Sequence, residues 1–212
     1  MQLYEYFRSS ASYRVRIALN LKGVDAEIVQ VHLLRNGGEQ HAPTFRALNP
    51  QARVPALVLD DGTPLIQSPA ILEWLEEQYP QPPLLPQGAL ARARVRGLAA
   101  LIACDIHPLN NTSILAYLKG PLGQEEAAVG AWARHWISTG FAALEQMVDG
   151  PFCCGDAVTL ADVYLVPQMA NARRVETDLS PFPKLVAIEQ RCLALEAFAR
   201  ARPEAQPAAK AS

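Results

Sequence analysis

The run Pro80-Gln81-Pro82-Pro83-Leu84-Leu85-Pro86 places four prolines in seven residues and separates two stretches of different periodicity. Proline fixes φ and offers no backbone N–H, so neither a helix nor a central strand continues through such a run. It predicts a stiff connector between two structural units. Ahead of it, short β-rich and helical runs alternate. Residues 3–6 read as a strand, 12–22 as a helix stopped by Gly23, and 26–31 as a second, β-branched strand. A polar loop (35–41) and a helical turn (44–48) lead to a hairpin, 54–59 and 63–66, turned at Asp60-Asp61-Gly62. Ser68 as a cap with Pro69 at the first helical position opens a helix to about residue 78. The order β-α-β-α-β-β-α predicts a small α/β sandwich.

After the proline run the pattern is helical, over residues 90–103, 114–118, 125–147, 160–172 and 185–199. Thr159-Leu160-Ala161-Asp162 reads as a capping box with Asp in place of the usual Glu. Residues 201–212 are alanine, proline and polar side chains, a composition that predicts a disordered tail.

Composition removes several function classes. A net charge of −2 over 212 residues, with no basic block, argues against a nucleic-acid partner. No run approaches the ~20 apolar residues of a membrane span, and the first residues lack a leader's basic and apolar regions. The chain reads as cytoplasmic. Four cysteines (Cys104, Cys153, Cys154, Cys192) are too few for a disulfide framework, and adjacent Cys153 and Cys154 meet bonding geometry only with strain. They read as packing residues, with a reactive thiol as the alternative. Cys104 and His107 have helical ligand spacing, but no second cluster completes a metal site, so no metal is expected.

Three motifs carry chemistry. Arg8-Ser9-Ser10-Ala11-Ser12-Tyr13-Arg14-Val15-Arg16 leads a strand into a helix through clustered hydroxyls. Backbone N–H groups and the helix dipole there favour an anion, a thiolate or a carboxylate. The plain alternative is that Ser12 only caps the helix and the arginines face water. Val54-Pro55 is either an edge-strand proline or a cis bond that leaves neighbouring backbone free for a ligand. Gln67-Ser68-Pro69 puts an amide and a hydroxyl at a second helix N-terminus, for capping or for a carboxylate.

Together these motifs resemble the glutathione transferases, and the opening segment is similar to their zeta class. Further matching segments are Ala47-Leu48-Asn49-Pro50, Val54-Pro55-Ala56-Leu57, Gln67-Ser68-Pro69-Ala70-Ile71 and Asp105-Ile106-His107-Pro108-Leu109-Asn110-Asn111. Thr159-Leu160-Ala161-Asp162, Leu165-Val166-Pro167-Gln168, Asn171-Ala172-Arg173-Arg174 and Asp178-Leu179-Ser180-Pro181 complete the set. The resemblance implies a thioredoxin-like glutathione-binding domain over residues 1–82, a proline-rich linker over 83–88, an all-helical domain over 89–212, and a homodimer. It implies catalytic roles for Ser9, Ser10, Arg8 and Arg174. Glutathione contacts fall to Ser9, Ser10, Ala11, Ser12, Tyr13, Arg14, Gln40, Val54, Pro55, Gln67 and Ser68, and from the helical domain to His107, Asn111 and Ser113. Tyr13 stands where the family often has tryptophan, and Ala11 where it often has cysteine; the missing cysteine puts thiol-linked activities in doubt.

The implied activity is cis–trans isomerisation of a dicarboxylic keto acid by reversible addition of the glutathione thiolate. The expected reaction converts maleylacetoacetate to fumarylacetoacetate in tyrosine and phenylalanine catabolism, because Thr112 and Ser113 stand where relatives acting on maleylpyruvate can be basic. Maleylpyruvate and α-halo acids are the alternative substrates. A thiol of pKa ~8.5 is ~3% ionised at pH 7, so lowering it to ~6.5 gains at most ~25-fold, roughly 2 kcal/mol. The remaining rate must come from alignment and from charge stabilisation, for which arginine's fixed cationic fork suits a carboxylate.

Overall fold

In the computed structural model, which describes residues 1–210, the chain forms two compact units. The first holds residues 1–83 and the chain from Ala194 onward; the second holds Leu84–Leu193.

The first unit is built on a four-stranded sheet in the order β2-β1-β3-β4. Strands β1 (Gln2–Glu5) and β2 (Glu27–Gln30) are parallel, joined through helix α1 (Ser10–Lys22). Strands β3 (Ala56–Val58) and β4 (Pro64–Ile66) form the expected hairpin, with β3 antiparallel to β1 and Leu3 opposite both Ile28 and Leu57. Leu3, Ile17, Leu57, Ile71 and Leu75 are fully buried where α1 and α3 (Ser68–Gln78) cover the sheet. Phe45, on α2 (Pro43–Leu48), packs with Val31 and Ala56 in a second cluster. Gly23, at φ 64, supplies the left-handed residue that ends α1.

Residues 201–210 are ordered, contrary to their composition. Residues 185–199 are not one helix. Helix α8 (Pro183–Leu193) stops, Leu195 turns extended, and α9 (Glu196–Ala201) begins. Asn20 donates to the Ala197 carbonyl at 2.9 Å and Phe198 is fully buried, so α9 is part of the first unit. Turns of 3-10 helix follow at Pro203–Ala205 and Pro207–Lys210, where buried Gln206 donates to the Arg200 and Arg202 carbonyls at 2.8 and 2.9 Å. Burial of Ala201 and Gln206 offsets the poor local propensity that predicted disorder. The last two residues of that expected tail lie outside the described residues.

The expected linker also changes character. Leu84 and Leu85 are each 2% exposed, and the Leu84 carbonyl accepts from the Leu160 N–H at 2.8 Å, so they belong to the core of the helical unit. That unit comprises α4 (Ala89–Ala100), α5 (Thr112–Lys119), α6 (Glu126–Met147), α7 (Leu160–Arg174) and α8. Helix α7 is buried on nearly every side, as expected of a central helix. Its capping box forms as read: Asp162 accepts from the Thr159 N–H and hydroxyl at 2.8 and 2.9 Å, and from the Cys153 N–H at 2.8 Å. Desolvation outweighs these bonds and raises the Asp162 carboxyl above its ordinary range.

The helix predicted over 90–103 instead gives way to a π-helical turn, Leu101–Ile106. Its last residue, Ile106, is fully buried and lies against Gly140 of α6, where a Cβ would come within 2.3 Å of the Ile106 side chain. The glycine is required by that close approach.

Candidate active site

Strand β1 ends at Glu5, and the chain turns through Tyr6–Arg8 into α1 with the Ser9 N–H donating to the Tyr6 carbonyl at 2.8 Å. Ser9 is the N-cap, its Oγ accepting the Ser12 N–H at 3.2 Å. Ser12 therefore does not cap the helix; it is a buried residue within the first turns. A hydroxyl that accepts one such bond retains its own proton to donate, and here it sits at the positive end of a 13-residue helix. Ser9 and Ala11 are half-buried, Ser10 is buried, and Arg8 is exposed, its guanidinium 5.1 Å from the Phe7 ring centroid.

The other arginines of this segment do not face water. Arg14 and Arg16 are 1% and 4% exposed. Arg14 donates to the Ser68 Oγ at 3.3 Å and so ties α1 to the start of α3. Arg16 pairs with the fully buried Glu5 carboxylate and donates to the Phe7 carbonyl at 3.0 Å and the Ala201 carbonyl at 2.9 Å. Burial pulls the Arg16 pKa down, and the Glu5 charge opposes that shift. Arg16 thus grips the backbone directly ahead of Arg8 and Ser9, a role invisible in a sequence where Glu5, Phe7 and Ala201 carry no signal of convergence. Tyr13 is also buried, 5.4 Å under the Arg16 guanidinium. Ser12, Tyr13 and Arg14 therefore support the loop from beneath, and their side chains are not at its surface.

The remaining residues of the first unit lie at loop ends. The Val54–Pro55 bond is cis and precedes β3, so Val54 is outside the ladder. Gln67, rather than Ser68, is the cap residue of α3; it holds φ 70 and ψ 116, a left-handed φ rare for a side chain of its size, and makes no capping bond. Ser68 and Pro69 are the first two helical residues. The exposed Gln67 amide donates to Gln51 at 2.6 Å. Gln40 donates weakly to the Leu33 carbonyl at 3.4 Å, while its Oε1 is buried with no hydrogen-bond partner among the described residues.

In the helical unit, His107 opens a short 3-10 turn and Asn111 follows it, 3.4 Å apart from ring Nε2 to amide nitrogen. Asn111 caps α5, accepting the N–H and hydroxyl of exposed Ser113 at 3.2 and 3.3 Å. Arg173 and Arg174 have different partners. Arg173 forms a two-pronged pair with Glu189 of α8, whose side chain is 4% exposed. Arg174 is exposed and donates instead to the Asn171 side-chain oxygen. Asn171 in turn donates to Asn110, so one polar chain links Arg174 with the His107–Asn111 turn; the sequence marks both segments but not this connection. All four cysteines are free, and desolvation raises the Cys153, Cys154 and Cys192 thiols away from the thiolate form.

Comparison with known proteins follows the same lines. Residues 8–78 match the glutathione S-transferase N-terminal domain. The chain is 55% identical to a maleylpyruvate isomerase of a Ralstonia species, with 98% of this chain and 99% of the relative covered. It is 52% identical to the maleylacetoacetate isomerase of Pseudomonas aeruginosa, covering 98% of each. A holo structure of a maleyl pyruvate isomerase, described as a bacterial glutathione S-transferase of the zeta class, superposes with TM-score 0.94 at 53% identity, covering 98% of this chain and 99% of that one. The maleylacetoacetate isomerase of Methylobacterium extorquens, solved with malonate and glutathione, gives TM-score 0.94 at 42% identity with the same coverage. A serine-capped first helix on a β2-β1-β3-β4 sheet, a cis Val54–Pro55 bond and relatives matched over nearly their whole length lead to one assignment: the chain belongs to the glutathione transferase family, alongside zeta-class members.

Proposed function

We propose that the chain is a glutathione-dependent cis–trans isomerase that converts maleylacetoacetate to fumarylacetoacetate. The observation that carries this reading is the Ser9 hydroxyl, which accepts the Ser12 N–H at the head of α1 and has a proton left to donate to a sulfur anion. The residues present suit a tripeptide with charged ends, since buried Gln40 Oε1 lacks a partner among the described residues and Gln67 is held in a strained turn ahead of Ser68. A relative solved with malonate and glutathione together supports the pairing of a dicarboxylate with the tripeptide.

When bound, glutathione supplies a thiolate that adds reversibly to a carbon–carbon double bond. The Ser9 hydroxyl donates a hydrogen bond that holds that sulfur anionic, keeping its own proton, and Ser10 and the α1 backbone add positive potential. Gln40, Gln67 and Ser68, with the backbone of Val54 beside Pro55, bind the peptide portion; His107, Asn111 and Ser113 are the helical unit's own candidate contacts. Arg174 grips a substrate carboxylate, and Arg8 is the candidate cation of the first unit. Arg173 is left out, because its guanidinium is committed to Glu189. The same reading makes the protein a cytoplasmic homodimer; among the described residues no helix is long and apolar enough to cross a membrane. Sedimentation at equilibrium tests the dimer.

Maleylpyruvate is the second reading, favoured by the 55% identity to the Ralstonia enzyme. Assay of the purified chain with glutathione on both acids separates the two. The proposal expects the higher kcat/KM on maleylacetoacetate, and a clear preference for maleylpyruvate reverses the choice.

A further inference from the structure

We propose that Asn110 and Asn171 are positioning residues that set the plane of the Arg174 guanidinium, an inference that rests on reading Arg174 as the carboxylate grip. Both amides are buried, Asn110 at 4% and Asn171 at 5% exposure, in a helical unit where few polar side chains are. Their hydrogen bonds run in one direction. Arg174 Nη2 donates to Asn171 Oδ1, Asn171 Nδ2 donates to Asn110 Oδ1 at 2.5 Å, and Asn110 Nδ2 donates to the Ile106 carbonyl at 2.6 Å.

The direction is fixed from its buried end. A backbone carbonyl only accepts, so Asn110 must turn its NH2 toward Ile106 and its oxygen toward Asn171. Asn171 must then turn its NH2 inward and present its oxygen to Arg174. Reversing either amide sets two donors or two acceptors against each other. The anchor is itself held: Ile106 ends the π-helical turn and fills the space left by Gly140, where a Cβ would stand 2.3 Å from its side chain. An exposed arginine on a long stem samples many rotamers, and two-pronged recognition of a carboxylate needs a defined plane. The asparagine relay supplies that plane from a rigid part of the fold, while neighbouring Arg173 is held by Glu189.

A double-mutant cycle tests this, using the full chain saturated with glutathione and malonate as the dicarboxylate probe, titrated by calorimetry. Asn110→Ala, which does not touch Arg174, is expected to weaken malonate binding about 5- to 10-fold and leave glutathione affinity within about twofold. In an Arg174→Ala background the same substitution is expected to change malonate binding less than about twofold, because the group it positions is gone. KM for the keto acid is expected to follow the malonate affinities. Equal weakening in both backgrounds, or none in the single variant, overturns the positioning role while Arg174→Ala still reports on the grip. If Arg174→Ala itself leaves malonate binding intact, the reading of Arg174 fails and the relay with it. Should Asn110→Ala not fold, Asn171→Ala, which keeps the bond from Asn110 to Ile106, takes its place: weakening that vanishes without Arg174 supports the relay, and equal weakening or none overturns it.

Discussion

Arg173 and Arg174 are adjacent and chemically identical, and their partners give them different work. Arg173 closes a pair with the buried Glu189 carboxylate; Arg174 is turned by Asn171. Arg173→Ala is therefore expected to leave the KM for the keto acid unchanged and to lower stability by roughly 1–3 kcal/mol, the lower end reflecting a half-exposed arginine, as read from urea unfolding. Arg174→Ala reverses the pattern, raising that KM about 10- to 100-fold with glutathione KM held within about twofold. Ser9→Ala is expected to lower kcat about 10- to 100-fold with little change in glutathione affinity, and to lose about 1 kcal/mol of stability with its cap. Equal loss of glutathione binding in the Ser9 and Arg174 variants contradicts this division. At this scale a helix start among the serines was legible, because serine is a favoured N-cap, although the cap is Ser9 and not Ser12. The fate of Arg14 and Arg16 was not. A buried arginine is distinguished from a surface one only by partners such as Ser68, Glu5 and Ala201, which no local pattern ties to it.

At the scale of elements, local signals served where local chemistry decides. The hairpin turn at Asp61-Gly62, the glycine stop at Gly23 and the Thr159–Asp162 box all formed as their residues indicated. Asp162 also takes the Cys153 N–H, so Asp162→Ala is expected to lose about 2–4 kcal/mol by leaving buried donors unpaired. The π-helical turn was hidden, since residues 101–106 carry neither proline nor glycine and would suit an ordinary helix. Its signal lies elsewhere, in Gly140 on α6. Gly140→Ala forces Ile106 to move and is expected to lose about 1–3 kcal/mol in thermal or urea unfolding, more than the gain alanine gives a helix.

For the whole molecule, the βαβαββα order and the helical remainder were readable from periodicity and from the proline run between them. The destination of the last helix was not, because nothing in an alanine-rich segment says which apolar surface it will cover. Helix α9 completes the first unit, where Arg16 holds Glu5, Phe7 and Ala201 together directly ahead of the serine cluster. Phe198→Ala is accordingly expected to lose about 3–5 kcal/mol in urea unfolding; unchanged stability contradicts its burial in the first unit. In the proposed function the chain lends a sulfur anion, held at Ser9, to a double bond and takes it back. The most direct test is the initial rate of maleylacetoacetate isomerisation by protein freed of glutathione, then resupplied with it. The rate is predicted to fall to background on removal and to return on addition, with no net consumption of the tripeptide; an undiminished rate without glutathione contradicts this chemistry.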